Sequence, residues 1–223
     1  MKVRIMGKRF ELIVFDWDGT LMNSAGAIVA CIQAAAVDMG MAPPPEMRAR
    51  HVIGLGLREA LRYVLPELAE EKHGELADRY RHHYLSQDHE LRLFAGADAL
   101  VRELAAGGFR LGVATGKSRK GLDRAMTSSG LGDCFLASRC ADECHSKPHP
   151  QMLDELMNEF GVAPEATLMI GDTTHDLQMA KNAGVDSLAV TYGAHGRGDL
   201  KALGPLHCAD SVADLAAWLK GNA

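Results

Sequence analysis

The sequence contains no long hydrophobic run. Nothing in it approaches the roughly 20 consecutive apolar residues of a membrane-spanning helix. The opening stretch, MKVRIMGKRFELIVFD, carries basic residues, but its one apolar run leads straight into a pair of carboxylates. It lacks the longer apolar segment and small-residue cleavage site of a secretory signal. An excess of basic charge is also missing: 24 Lys and Arg face 29 Asp and Glu, for a formal net charge of -5. Binding to a phosphate backbone ordinarily needs a basic face, so no nucleic-acid partner is expected. The helical stretch DRYRHHYL at 78–85 is basic and aromatic, but it stands in an acidic chain, and the adjacent His82 and His83 point to different helix faces. The five cysteines are odd in number and scattered, which excludes a disulfide framework as the expectation. Cys134, Cys140, Cys144 and His145 follow a C-x5-C-x3-C-H spacing that fits no standard structural zinc site. A cytoplasmic protein with no membrane partner is expected, either a monomer or a homodimer.

What is present suits one good-sized core with a smaller attached module: 223 residues, 47% of them hydrophobic. ELIVF at 11–15 reads as a short buried strand. Residues 24–40 read as an alanine-rich helix closed by Gly40, and Pro43, Pro44 and Pro45 then break the chain. Helix-like segments fill the rest of the stretch to about residue 92. From there strands and helices alternate. RLGVAT, CFLAS, ATLMIGD and DSLAVTYG read as strands, each after a helical segment, with a last helix at ADSVADLAAWLKG. Met152 and Met157 read as core filler. The alternation predicts an α/β fold, a doubly wound parallel sheet with helices on both faces. Residues 1–22 and 93–223 form the expected core domain. Residues 23–92 form a helical insertion placed above the carboxyl ends of the strands, where such sheets bind ligands.

Polar residues fall at four of the strand ends: Asp16 with Asp18, Thr115 with Gly116, Lys147 in SKPHP, and Asp172 with Asp176. Taken singly they are unremarkable. Asp172 and Asp176 read as a helix cap and a first-turn acid, Thr115 as a cap, and Lys147 as a surface lysine. Gathered at one edge of one sheet, they place several carboxylates, a hydroxyl and an ammonium in one crevice. Crowded carboxylates repel unless a cation joins them, and magnesium suits oxygen ligands with a substrate phosphate. The lysine and threonine then serve an anion, and phosphoryl transfer is mainly positioning and charge neutralisation. A carboxylate is also a nucleophile that is ionised at neutral pH, giving an aspartyl-phosphate. Its neighbour two residues on is placed to give and take the proton. Gly19 lets the chain turn sharply out of the strand.

DWDGT, the Thr115 strand end, the Lys147-Pro148 pair and GDTTHD together resemble the haloacid dehalogenase-like superfamily over essentially the whole chain, helical cap included. The resemblance implies Asp16 as nucleophile and magnesium ligand. Asp18 is implied as general acid/base, with its main-chain carbonyl on the metal. Thr115 and the Gly116 amide would hold the transferring phosphoryl group. Lys147 would neutralise that group and orient Asp16, Asp172 would complete the metal site, and Asp176 would contribute directly or through water. Thr20 would brace the Asp18 turn beside the substrate. Within the superfamily, Asp18 argues against a dehalogenase, and Thr20 and Asp176 argue against a phosphomutase. The pattern most resembles phosphoglycolate phosphatases, with Trp17 and Asn23 in place of the usual leucine and aspartate. The expected activity is magnesium-dependent hydrolysis of small-metabolite phosphate monoesters, 2-phosphoglycolate first. A sugar phosphate, a nucleoside monophosphate or pyrophosphate remains open as substrate, and so do a mutase and a non-catalytic phospho-ligand binder. In the cap, HVIGLGLR at 51–58 reads as a glycine-flexed loop. Arg58 there either meets a second anionic group of the substrate or stands exposed at a helix start.

Overall fold

The computed structural model describes residues 9–223; residues 1–8, which the sequence reading assigns to the core, lie outside the described residues. Among the described residues the first element is β1 (Leu12–Phe15), and four helices follow, α1 (Ala25–Asp38), α2 (Glu46–His51), α3 (Leu57–Val64) and α4 (His73–Gln87). It continues with α5 (Ala97–Ala106), β2 (Arg110–Thr115), α6 (Arg119–Ser129), β3 (Ala137–Cys140) and α7 (Gln151–Phe160). The last part is β4 (Thr167–Gly171), α8 (Thr174–Asn182), β5 (Asp186–Val190), α9 (Arg197–Ala202), β6 (Cys208–Ala209) and α10 (Val212–Asn222). Six strands of the described residues form one sheet in the order β3-β2-β1-β4-β5-β6, and every pair is parallel. The expected doubly wound α/β sheet is therefore present.

β1 is central, and all four of its residues are buried because helices cover both faces. Its side chains alternate between the two layers. Ile13 and Phe15 join Leu111, Val113 and Ile170 on the face packed by α5, α6 and α10. Leu12 and Val14 join Met169, Met152 and Leu156 on the face packed by α7 and α8. Met152 and Met157 are thus buried in the core, as their helical spacing suggests. The four helices of residues 25–87 bury their own apolar cluster, built on Ile28, Ile32, Leu61, Val64 and Leu76. The chain leaves and re-enters the sheet layer through adjacent segments. Met22 and Leu93 form an antiparallel bridge, and the Asn23 amide donates to the Arg92 carbonyl at 3.0 Å.

The third strand lies later than CFLAS. Residues 132–134 form a 3-10 turn, and the strand is Ala137–Cys140. The apolar run that mimics a strand serves the core instead: Phe135 packs edge-on against Phe15 at 6.3 Å and Trp17 at 6.1 Å, while Leu136 is exposed. α9 and the two-residue β6 lie between the elements that the sequence pattern marks.

Trp17, between the two aspartates of DWDGT, is fully buried, and its indole N–H finds no acceptor among the described residues. Its packing therefore carries its contribution. Trp17→Ala is expected to cost about 3–5 kcal/mol of unfolding free energy, as for other large-to-alanine core changes. Urea denaturation of the purified variant measures this, and a loss below about 1 kcal/mol would contradict the core role assigned to the ring.

Candidate active site

Parallel register brings the ends of β1, β2 and β4 to one height. Phe15 pairs with Val113 on one side and with Ile170 on the other, so Asp16 stands level with Ala114 and Gly171, and Thr115 and Asp172 follow one residue further along their strands. The Asp16 amide still donates to the Ile170 carbonyl at 2.9 Å, which fixes the start of the turn. Lys147 arrives from the loop after β3, and Asp176 from the first turn of α8. Asp16, Asp172, Asp176 and Lys147 are all essentially fully buried.

The Lys147 Nζ donates to Asp16 Oδ1 at 2.6 Å. It also lies 2.6 Å from Asp176 Oδ1, off hydrogen-bond geometry. Asp176 Oδ2 accepts from the Thr173 amide and hydroxyl at 3.1 and 2.7 Å, closing a capping box at the start of α8. Asp176 is thus the first-turn acid that the sequence suggests, while Thr173 and not Asp172 is the N-cap; the other Asp176 oxygen faces Lys147. Asp172 accepts from the Thr20 hydroxyl at 3.0 Å and from the Ala194 amide at 2.7 Å. A Cβ on Gly19 or Gly193 would strike the Asp172 carboxylate, so only glycine lets these main-chain segments close around it.

Thr20 does not brace the Asp18 turn as expected, because its hydroxyl turns to Asp172. Ser24 takes that place, donating to Asp18 Oδ1 at 2.7 Å. The Asp18 carboxylate is also held by Lys117, whose Nζ donates to both of its oxygens at 2.9 Å and to the Tyr84 hydroxyl of α4 at 2.8 Å. Thr115 is buried, and its Oγ1 accepts the Lys117 amide at 3.2 Å. Gly116 sits under the loop that follows α2. A Cβ there would meet the Gly54 and Leu55 carbonyl oxygens at 2.6 Å. The Gly56 amide of that loop donates to Ser146 Oγ at 2.8 Å. Arg58 and Lys120 line the same cavity of about 630 Å³ as Asp16, Asp18, Thr115 and Lys117. Among the described residues Arg58 makes no hydrogen bond or ion pair.

A model of the haloacid dehalogenase-like hydrolases matches residues 13–190. The chain belongs to that family. As a haloacid dehalogenase-like hydrolase it is 34% identical over 210 residues to a protein named "Probable phosphatase IndB" from Dickeya dadantii, covering 92% of this chain and 91% of that one. It is 30% identical over 217 residues to a phosphoglycolate phosphatase of Vibrio vulnificus, covering 93% and 95% of the two chains. Among solved structures, a hydrolase from Pseudomonas syringae shares the fold with a TM-score of 0.86 at 22% identity, covering 95% of this chain and 98% of that one.

The hydrolase gathers three carboxylates around one ammonium. Carboxylate oxygens of Asp16, Asp172 and Asp176 lie within 4.8 Å of one another. Burial pushes the Asp16 carboxyl up to about 7, opposed by the charge of Lys147 and reinforced by Asp176. Burial also holds Asp172 well above the usual carboxylate range, with Asp16 and Asp176 adding to it. For Lys147, burial favours the neutral amine, but Asp16 and Asp176 outweigh it and the pKa lies above the ordinary lysine value. Among the described residues Asp16 Oδ2 has no hydrogen-bond donor. Three hard oxygen donors, excess negative charge and an unused buried oxygen fit a divalent cation such as magnesium.

Sequence reasoning missed Ser24, Tyr84, Lys117 and Thr173. Lys117 lies two residues beyond Thr115, but nothing in TGKS separates it from an ordinary surface lysine. A raised carboxylate pKa means that the folded state holds its proton more tightly than the unfolded state. The stability that Asp16 contributes is thus present below the unfolded value of 3.8 and lost as pH rises through about 7. Metal-free protein is expected to melt at lower temperature at pH 8 than at pH 5 through Asp16 and Asp172, and magnesium should raise the melting temperature more at pH 8. Thermal melts with chelator and with magnesium test this; a magnesium shift larger at pH 5 would contradict it.

Proposed function

We propose that the protein is a magnesium-dependent phosphatase of small-metabolite phosphate monoesters, with 2-phosphoglycolate as first substrate. The observation that carries this reading is the Asp16 carboxylate, with one oxygen tied to Lys147 and the other buried without a partner beside Asp172. In this reading residues 23–92 serve as a helical cap on a core of residues 1–22 and 93–223. The resemblance of the full chain to phosphatases, one of them named for phosphoglycolate, supports the substrate class.

Asp16 attacks the phosphorus through its free oxygen while the ester P–O bond breaks, and the leaving oxygen takes a proton from Asp18. Water then attacks the aspartyl-phosphate and gives its proton to Asp18; the bond to Asp16 breaks, and inorganic phosphate departs. Lys117 and the Ser24 hydroxyl hold the Asp18 carboxyl group in place at the cavity for both transfers. Thr115 and the Gly116 amide receive the phosphoryl oxygens, and Lys147 neutralises them. Asp16, the Asp18 main-chain carbonyl, Asp172 and, directly or through water, Asp176 would hold magnesium, which offsets the charge shared by nucleophile and phosphate. Arg58 on the cavity wall serves a second anionic group of the substrate.

A second reading has the cavity's size in its favour. About 630 Å³ exceeds what phosphoglycolate fills, and a sugar phosphate or nucleoside monophosphate would occupy more of it. A pyrophosphatase named PpaX from Bacillus cereus, 28% identical over 211 residues, adds pyrophosphate to the panel. Phosphate release is to be measured on all of these with magnesium and with chelator. Asp16→Asn and chelator are each expected to lower turnover by at least about a thousandfold, as nucleophile loss does elsewhere. Wild-type turnover that survives Asp16→Asn would overturn the mechanism.

A further inference from the structure

Three histidines meet where the loop after α2 rests on the core. His51 ends α2, His175 stands in the first turn of α8, and His195 follows β5. The His51 ring stacks parallel to that of His195 at 5.4 Å and lies edge-on to that of His175 at 5.3 Å. Their nitrogens come within 4.8 Å of one another, which raises the question of a metal site.

The hydrogen bonds answer it. The Thr174 amide donates to His195 Nδ1 at 3.0 Å. That nitrogen is therefore an acceptor, and the proton of the neutral ring is on Nε2. Nε2 faces the main-chain carbonyl of His51 at 3.2 Å. A metal-bound histidine usually donates its second nitrogen's proton to an acceptor. Here the second nitrogen of His195 meets an N–H donor instead, so the ring is set for donation through Nε2 and not for ligation. His175 Nε2 faces the same His51 carbonyl at 2.7 Å. One carbonyl oxygen has two lone pairs, and two imidazole N–H groups fill them.

The carbonyl is one of those that a helix C-terminus leaves without an internal partner. The core therefore satisfies the end of α2 only while the following loop stays seated. That loop sets the Gly54 and Leu55 carbonyls over Gly116 and the Gly56 amide on Ser146. The core side of the contact is tied to the carboxylate cluster: the His195 amide donates to the Asp172 carbonyl at 3.3 Å, and the neighbouring Ala194 amide to the Asp172 carboxylate.

We propose that His175 and His195 are positioning residues that clasp loop 52–56 over the nucleophile by donating together to the His51 carbonyl. The consequence for turnover rests on the phosphatase reading above; the clasp itself does not. At saturation the substrate's own contacts seat the loop, so the clasp acts mainly on KM.

Hydrogen exchange and steady-state kinetics on the full chain test this. The variants are His175→Leu, which removes the donor, and His175→Gln, whose amide keeps one. His175→Leu is expected to speed exchange of the Gly56 amide and to raise KM for 2-phosphoglycolate, or for the panel compound turned over fastest, each about fivefold. The turnover number should stay within about twofold, and His175→Gln should restore both values. Unchanged Gly56 exchange in His175→Leu would overturn the proposal. So would acceleration that spreads through the β4 amides, which marks a general role in folding. Stoichiometric Co²⁺ uptake lost on His51→Ala would overturn it in favour of a metal site. If the wild type turns over nothing on the panel, the phosphatase reading fails alone and the exchange result still decides the clasp.

Discussion

One buried ammonium holds the molecule's chemistry together. Lys147 is taken wholly out of water, and only the carboxylates of Asp16 and Asp176 make that tolerable. The arrangement remains unbalanced, because Asp172 brings a third carboxylate to the same place. Every other feature of the site manages that imbalance. Thr20 and the Ala194 amide donate to Asp172, Thr173 donates to Asp176, and glycines at 19, 171 and 193 let main chain and carboxylate approach where a side chain could not fit. Donors alone do not remove a net negative charge, and a divalent cation does.

A second ammonium divides the labour. Lys117 keeps to Asp18, outside the three-carboxylate group, and Tyr84 ties it to α4. The two aspartates of DWDGT thus live in different surroundings two residues apart. Asp16 is buried against Lys147. Asp18 lines the cavity, held by the Ser24 hydroxyl and the Lys117 ammonium. In the proposed mechanism this contrast separates attack, by Asp16, from proton transfer, by Asp18.

Much of this was legible in the sequence, for a physical reason. Strand ends in a parallel sheet share one edge, so Asp16, Thr115 and Asp172 could be placed together from hydrophobic runs and turn residues alone. Asp176 and Lys147 followed from their offsets to those ends. Contacts that depend on how the helical segment sits on the sheet were not legible. Tyr84 with Lys117, and His51 with His175 and His195, join residues far apart in sequence that no periodicity links. Thr20 was placed on the correct turn but given the wrong partner, since a hydroxyl between two carboxylates is assigned only by distance. The third strand starts later than CFLAS suggests, at Ala137, because Phe135 is apolar for the sake of an aromatic cluster and not for a sheet.

The pairing of β1 with both β2 and β4 has a further bearing on how the protein fails. The relative heights of Asp16, Thr115 and Asp172 are fixed by main-chain hydrogen bonds of the central strands, not by side-chain choice. Those strands belong to the part of such a sheet that opens last. Inactivation by heat or denaturant should therefore be cooperative: the edge that carries these residues cannot fray while the domain persists, and partially active, partly unfolded species should not accumulate.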